Sequence, residues 1–412
     1  MTTTIIIALC ALLLIAYLFD LTSSLTKIPS VLLLLLLGWL VRQASQLLKI
    51  QIPDLTNLLP FLGTIGLILI VLEGSLELEF NKSKRTIISK SLLVAIVPMV
   101  LLAFFMTFMF NYLGDSVSFK QSLTNAIPLC VISSSVAISS VKNLTAADKE
   151  FIIYESSLSD ISGVLFFNFI VRNSVIDVHS TLHFTLQLLI IAVISFIATI
   201  GLSYLLSKIE HNIKFVPIIL LVILIYGISE IYHLPALIFI LLFGLFLGNL
   251  DELKQVKWIQ MLRPRQLDKE VNKFKELIGE ITFLIRALFF LLFGFLMEKS
   301  QILNPETIIW AVGIVLAIFL FRIIFLRISN LPLAPLIFIA PRGLITILLF
   351  LAIPAAQVIP FVNTSLVIQV IILTALVMMV GLIATTKKVP ADHVEKPVQL
   401  QDDSIIISSP EN

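Results

Sequence analysis

Four carboxylates stand inside stretches that are otherwise almost wholly apolar: Glu73 within 58–76, Glu155 and Asp160 within 150–171, and Glu280 within 278–297. If these stretches cross a bilayer, each ionised acid costs roughly 2.5–3.5 kcal/mol or more at mid-membrane unless it is paired or hydrated. An apolar side chain would avoid that cost, so an intramembrane acid points to a task. Ser156 and Asp160 are four residues apart and share one face of a helix. A carboxylate beside a hydroxyl makes an oxygen-rich half-site for a small hard cation. For Glu155 a structural salt bridge accounts for the charge equally well. Glu280 comes early in its stretch, at interface level, and is given no role. Arg286, Arg322 and Arg342 are the basic residues deep within such stretches.

Two stretches are interrupted. Span 122–142 carries Pro128 and then Ser133-Ser134-Ser135, and span 333–355 carries Pro335 and then Pro341-Arg342-Gly343. Proline removes a helix hydrogen bond, and glycine loosens the helix. Either stretch alone could be a kinked structural helix, since both residues are frequent in membrane spans. Interrupted helices in corresponding positions of two inverted halves point to a transport site at the bilayer midplane.

The elements that must position these residues follow from hydropathy. The 412-residue chain is 58% hydrophobic and 13% charged, with a mean hydropathy of +1.07. A soluble domain carries about twice that charge. Spans are expected at 3–20, 28–42, 58–76, 88–113, 122–142, 150–171, 183–207, 215–230, 235–250, 278–297, 306–328, 333–355 and 363–386, the split at His233-Leu234-Pro235 being the weakest boundary. The interrupted stretches are then spans 5 and 12. They lie seven spans apart, and an odd offset sends them through the membrane in opposite directions. Of the 28 Lys and Arg, 20 fall after odd-numbered spans or in the C-terminal tail and 5 after even-numbered ones. Positive charge marks the cytoplasmic side, so the N-terminus is expected outside and the C-terminus in the cytoplasm. The fold class is an all-α polytopic membrane protein of about 13 transmembrane helices in inverted repeats, with spans 5 and 12 as broken crossing helices.

Lesser features fit this frame. The first apolar run has no basic residue ahead of it and no cleavage site close behind, so it is read as span 1 rather than a signal peptide. Cys10 and Cys130 sit in apolar runs and offer neither a disulfide framework nor metal spacing. His179, His183, His211, His233 and His393 lie near span ends or in the tail and are read as solvated or interfacial. The charged segment 251–276 is expected as a solvated cytoplasmic loop, with an interfacial helix using Trp258, Ile259, Met261 and Leu262 as the alternative. Residues 387–412 are expected as a short polar cytoplasmic tail with no soluble domain after it. No nucleotide loop, nucleophile elbow or metal cluster suggests an enzyme. A net charge of +2 gives no reason to expect nucleic acid.

Several segments resemble the monovalent cation:proton antiporters of the Na+/H+ exchanger type. "GTIGLILIVLEGSLELEF" is similar to that family's third helix, which usually carries Phe-Glu-Gly-Gly-Leu. "YESSLSDISGVLFF" resembles its signature Glu-Ser-x-x-Asn-Asp-x-x-Gly. "PRGLITILLFLAIP" resembles its twelfth helix, usually Gly-Leu-Arg-Gly-Ala. "YGISEIYHLPALIFILLFGLFLGN" and "FLIRALFFLLFGFLM" are similar to its later scaffold helices. The resemblance covers spans 2 to 13, and order and spacing make it specific.

That resemblance implies roles. Asp160 would bind cation or proton, with Ser156 and Glu73 as oxygen partners, so that Asp160 and Glu73 hold a monovalent cation and no other metal. Glu155 and Arg342 would form an ion pair tying span 6 to span 12, and Arg322 would be a buried basic residue on span 11. Pro128, Ser135, Pro341 and Gly343 would shape the breaks. Spans 4–6 and 11–13 would move as a transport core against a dimer scaffold of spans 1–3 and 8–10, with span 7 as linker. The implied partners are the lipid bilayer and a second copy, in the cell inner (plasma) membrane. No cofactor is implied beyond transported Na+ (or Li+ or K+) and H+.

The chain also departs from the family pattern. Ser133-Ser134-Ser135 stands where relatives read Thr-Asp-Pro, Ser159 replaces the Asn before the key Asp, and Arg286 stands where many relatives carry an acid. Hydroxyls of Ser133 and Ser134 and freed carbonyls remain as oxygen ligands. The expected activity is electroneutral exchange by alternating access. A non-transporting sensor or scaffold, or a channel or carrier of another solute, are the alternatives.

Overall fold

A computed structural model describes residues 2–49, 54–78, 84–113, 117–141, 144–173, 178–208, 215–232, 234–250 and 264–385. Every regular element among them is helical. Numbered after the spans, the helices are α1 (Thr2–Thr26), α2 (Ser30–Leu47), α3 (Leu58–Glu77), α4 (Arg85–Leu113), α5a (Phe119–Cys130), α5b (Ser134–Ser140), α6 (Ala146–Arg172), α7 (Val178–Lys208), α8 (Phe215–Ile231), α9 (Leu237–Gly248), α10 (Pro264–Leu296), α11 (Pro305–Ile328), α12 (Leu344–Leu351) and α13 (Thr364–Thr385). A single turn, Lys299–Ile302, precedes α11, and the 3-10 turn Leu336–Phe338 precedes α12.

Nine segments among the described residues are long and apolar enough to cross a membrane, the interrupted Phe119–Ser140 included. The other expected spans fall short for visible reasons. α6 is dense in charge, α8 and α9 are short, and α12 is a fragment of a broken span. The exterior is that of a protein solvated by hydrocarbon: Leu14, Phe108, Leu189, Ile309, Leu316 and Val380 are each more than half exposed. Inside, Ser133, Glu155, Asp160 and Arg342 are buried. In lipid every backbone polar group must be satisfied internally, so breaks in a helix survive only where protein covers them.

Helix ends are set locally. Ser118 caps α5a by accepting a hydrogen bond from the Gln121 N–H at 3.2 Å, and the Gln121 side chain returns one from the Ser118 N–H. α11 begins with Asn304 accepting from the Glu306 N–H, has Pro305 in its first turn and ends with Arg327 in its last.

Two groups of contacts organise the bundle. In one, α2 packs along α10, α3 lies against α9 and α10, and α9 rests on α7. In the other, α4 packs on α5a and α6, α5b on α6, and α11 on α13 and α4. At the α2–α10 contact the backbones touch. A Cβ on Gly38 would sit 2.1 Å from the Leu291 carbonyl oxygen, and one on Gly294 would sit 2.3 Å from that of Leu35.

The structure corrects two boundaries. α10 begins at Pro264, so residues 264–277 are helix where a solvated loop is expected, and its charged residues lengthen the helix beyond the apolar span. α1 runs to Thr26, past the expected end at 20. The break between α8 and α9 falls at the expected place. Trp258, Ile259, Met261, Leu262, His211, His233, His393 and the tail lie outside the described residues.

Candidate functional site

The two breaks meet. α5a ends at Cys130, Val131 to Ser133 run extended, and α5b starts at Ser134. In span 12, residues 339–343 lie between the 3-10 turn and α12. The Ser133 N–H donates to the Pro341 carbonyl at 2.9 Å, joining the two broken segments. Gly343 allows this approach: a Cβ there would lie 2.7 Å from Val136 Cγ2 and 2.8 Å from Ser133 Oγ.

Breaking a helix leaves carbonyls without donors at one end and N–H groups without acceptors at the other. Arg342 takes the first set. Its Nε donates to the Leu129 carbonyl at 2.8 Å, Nη2 to that of Cys130 at 3.1 Å, and Nη1 to that of Ala340 at 2.9 Å. A guanidinium thus sits at the negative end of the α5a dipole. Asp160 takes the second. Its Oδ2 accepts the Ser134 N–H at 3.1 Å and the Ser134 hydroxyl at 2.5 Å, so a carboxylate faces the positive start of α5b. Between them Ser159 Oγ accepts the Ile132 N–H at 3.0 Å. The Arg342 N–H itself donates to Thr374 Oγ1 on α13.

Glu155 is paired, but not with Arg342 as expected. Arg322 Nη1 and Nη2 donate to Glu155 Oε1 and Oε2 at 2.7 and 3.0 Å, and Arg322 Nε donates to the Leu336 carbonyl at 2.6 Å. Glu155 is fully buried and Arg322 only 4% exposed. The bidentate fork ties α6 to α11 and to the first turn of span 12, whereas Arg342, held by three carbonyls, has no carboxylate partner among the described residues. Two buried arginines compete for one acid, and the freed carbonyls of α5a claim the one beside them.

The remaining expected residues separate. Ser134 joins Asp160. Ser133 Oγ lies 2.9 Å from Ser135 Oγ, so these hydroxyls pair with each other. Ser156 Oγ donates back to the Ile152 carbonyl at 2.7 Å. Glu73 is half-buried and faces α10, where a Cβ on Gly279 would meet its Oε1 at 3.7 Å, within electrostatic reach of Arg286 and Lys275. It makes no hydrogen bond to Asp160 or to the serines. Glu280, left without a role, is exposed. Pro128 lies inside α5a, two residues before its end, and Pro341 supplies the carbonyl that joins the breaks. Sequence reasoning missed Ser159 and Thr374 as holders of the breaks. A hydroxyl in mid-span was the available signal for both. No group of three or more His, Cys, Asp or Glu fit to hold a metal ion occurs among the described residues.

One Asp160 oxygen, Oδ1, is buried without a hydrogen-bond partner among the described residues. A carboxylate half-satisfied at the meeting of two broken helices, inside a bundle with an apolar exterior, defines a membrane transporter of the broken-helix class. Residues 9–388 match the family model "Sodium/hydrogen exchanger, transmembrane", and the chain belongs to that family. Two solved structures of MjNhaP1, described as a sodium proton antiporter from Methanocaldococcus jannaschii, share its fold. The one at pH 8 aligns at 17% identity with a TM-score of 0.65 over 93% of this chain and 96% of that one. The other, an electron-microscopy map, aligns with the same score over 93% and 95%. No curated protein matches the chain.

Proposed function

We propose that this protein exchanges a monovalent cation, Na+ first among Na+, Li+ and K+, for H+ by alternating access, and that Asp160 is the group for which they compete. The observation that carries this reading is the asymmetry of its carboxylate. Oδ2 already accepts two hydrogen bonds from Ser134, while Oδ1 has none. The free oxygen takes either a proton or a cation, so one excludes the other. Protonated, the site is neutral and returns across the membrane empty of metal. Deprotonated, it carries the cation. Ser134 and Ser159 flank it with hydroxyls rather than carboxylates, so one proton is traded for one monovalent cation and no net charge moves. Membrane potential, worth about 2.3 kcal/mol per charge per 100 mV, then has no purchase on the cycle.

The grouping of contacts supports α4–α6 with α11 and α13 as one unit and α2, α3, α9 and α10 as the other; the family resemblance adds α12 to a moving core, α1 and α8 to the scaffold, and α7 as the linker. The family resemblance extends this to a homodimer through the scaffold, a plasma-membrane location, and termini disposed as the positive charge indicates. Serine in place of the family's span 5 acid leaves less negative charge at the site, which favours weaker cation affinity than in relatives that keep it. The same substitution is the one feature that favours a non-transporting sensor.

Purified protein in vesicles with Na+, Li+ and K+ gradients and an internal pH dye tests the reading. Exchange is expected, unchanged by an imposed potential, and Asp160→Asn is expected to abolish it while leaving the protein folded. Exchange that survives Asp160→Asn, or cation uptake driven by potential alone, would overturn the one-acid mechanism.

A further inference from the structure

We propose that the ion pair of Arg172 and Glu230 is a latch between the moving core and the scaffold, opened each time the core moves. The inference rests on the division into core and scaffold given above and adds a contact that governs the motion between them. Arg172 Nη2 lies 2.6 Å from Glu230 Oε1. Arg172 stands in the last turn of α6, which packs mainly on α4 and α5. Glu230 is the last residue but one of α8, which packs on α3, α7 and α9. The pair thus crosses from one unit to the other, whereas Arg322–Glu155 stays within the first and Arg42–Glu298 within the second. Each side chain is placed for this reach. Carbonyls at the end of α6 are served by others: Lys120 Nζ donates to that of Val171 at 3.2 Å, and the Asn173 side chain to that of Phe169 at 2.8 Å. Glu230 is a carboxylate at the negative end of a helix dipole, a place that disfavours it without a cation alongside.

The fold repeats the device at its other face. An inverted repeat of seven spans matches α6 with α13 and α8 with α1. Just past the end of α1, Lys27 Nζ donates to the Leu382 carbonyl in the last turn of α13 at 3.2 Å. That carbonyl is one of the four that a helix end leaves without an internal donor, and the ammonium meets the negative end of the dipole. Successive spans alternate in direction, so α1 and α13 end at the face opposite to the ends of α6 and α8. The core is therefore fastened to the scaffold at both faces. A slide on the order of one helical turn, about 5.4 Å, carries these groups out of contact. The Arg172 and Glu230 side chains are 25% and 48% exposed. Exposed pairs hold weakly and yield to salt, as a contact opened in every cycle requires.

The test is Na+/H+ exchange in vesicles by Arg172→Cys with Glu230→Cys in a Cys10→Ser background, before and after a short bis-methanethiosulfonate cross-linker. Closing the latch covalently is expected to slow exchange about tenfold or more, because the moving step is blocked, and reductant should restore it. The same cross-link between Arg42→Cys and Glu298→Cys, within the scaffold, should leave exchange within about twofold. A second measurement needs no cysteine. Raising ionic strength with choline chloride should speed wild-type turnover at saturating Na+ by about two- to fivefold, the worth of one exposed pair. Glu230→Gln should lose that response, and Arg172→Glu with Glu230→Arg should regain it. Exchange unaffected by the Arg172–Glu230 cross-link, an equal arrest by the Arg42–Glu298 cross-link, or an undiminished salt response in Glu230→Gln overturns the latch while Asp160-dependent exchange stands. Exchange indifferent to Asp160→Asn, or absent from the wild type, overturns the parent reading and this one with it.

Discussion

The α2–α10 crossing and the meeting of the breaks in spans 5 and 12 both bring backbones into contact, and they are held in opposite ways. At the crossing, glycine removes the side chain and apolar surfaces close around bare helix, with both helices running unbroken through the contact. At the breaks the helices have given up internal hydrogen bonds, and side chains replace them one by one: Arg342 for the carbonyls, Asp160 and Ser159 for the N–H groups. The first contact is apolar and non-directional. In the second, a carboxylate that caps a helix is also the group left with a free oxygen, so on the proposed mechanism protonation or cation binding would act directly on what holds the break closed. The difference assigns rigidity to one region and responsiveness to the other.

The sharpest way to break this comparison is to remove a charge from the responsive region. Arg322→Ala leaves Glu155 buried without a partner, and breaking such a pair from one side typically costs about 3–5 kcal/mol. Thermal unfolding in detergent should show a larger loss for this variant than for Gly294→Ala or Glu298→Gln. Removing both charges together, as Arg322→Met with Glu155→Gln, should recover most of it, because the penalty belongs to the orphaned charge more than to the bond. A single variant as stable as the wild type would mean that water or lipid headgroups reach Glu155.

Next in size comes an insult to the rigid region. Gly294→Ala places a methyl group within 2.3 Å of the Leu35 carbonyl oxygen, so α2 and α10 must part. Overpacking of this kind typically costs about 1–3 kcal/mol. Exchange per folded molecule should be unchanged, because no ion ligand moves. If turnover falls while the melting temperature holds, the crossing takes part in the transport motion and the division into rigid and responsive regions is wrong.

How much of this was legible in the sequence follows the same line. The apolar runs declared the helices because lipid demands continuous apolar stretches. Pro341-Arg342-Gly343 and the triple serine announced the breaks, and Asp160 stood out as an acid beside them. Partnership was not legible. Glu155 had two arginines with equal claim, and only the geometry of the α5a carbonyls assigns Arg342 elsewhere. Ser156 and Ser157 differ by about 100° around α6; that the first hydroxyl folds back on the helix and the second lies beside Gly74 of α3 depends on neighbours that spacing along α6 cannot reveal. The start of α10 was missed because residues 264–277 are charged, and charge ends an apolar run without ending a helix.

The smallest expected effect gives the control for the largest. Arg42 and Glu298 form an arginine–glutamate pair at 3.2 Å, close to the separation in the Arg322–Glu155 pair, but at the rim of the α2–α10 contact, with side chains 23% and 55% exposed. The Arg42 guanidinium does not depend on that partner. Its Nη1 also donates to the Leu296 and Met297 carbonyls at 2.8 and 2.9 Å, at the C-terminal end of α10 where a positive charge is welcome. Glu298→Gln removes one charge and keeps a carbonyl oxygen to accept the bond, with water to make good the rest. Exposed pairs of this kind are worth about 0–1 kcal/mol, and the unfolding temperature should scarcely move in low or high salt. The same substitution at Glu155 removes the charge that Arg322 needs in a site closed off from the surface, and should be felt several times more strongly. Equal losses at the two positions would show that burial is not what separates the regions, and that the responsive site owes its strength to something other than the charges at its breaks.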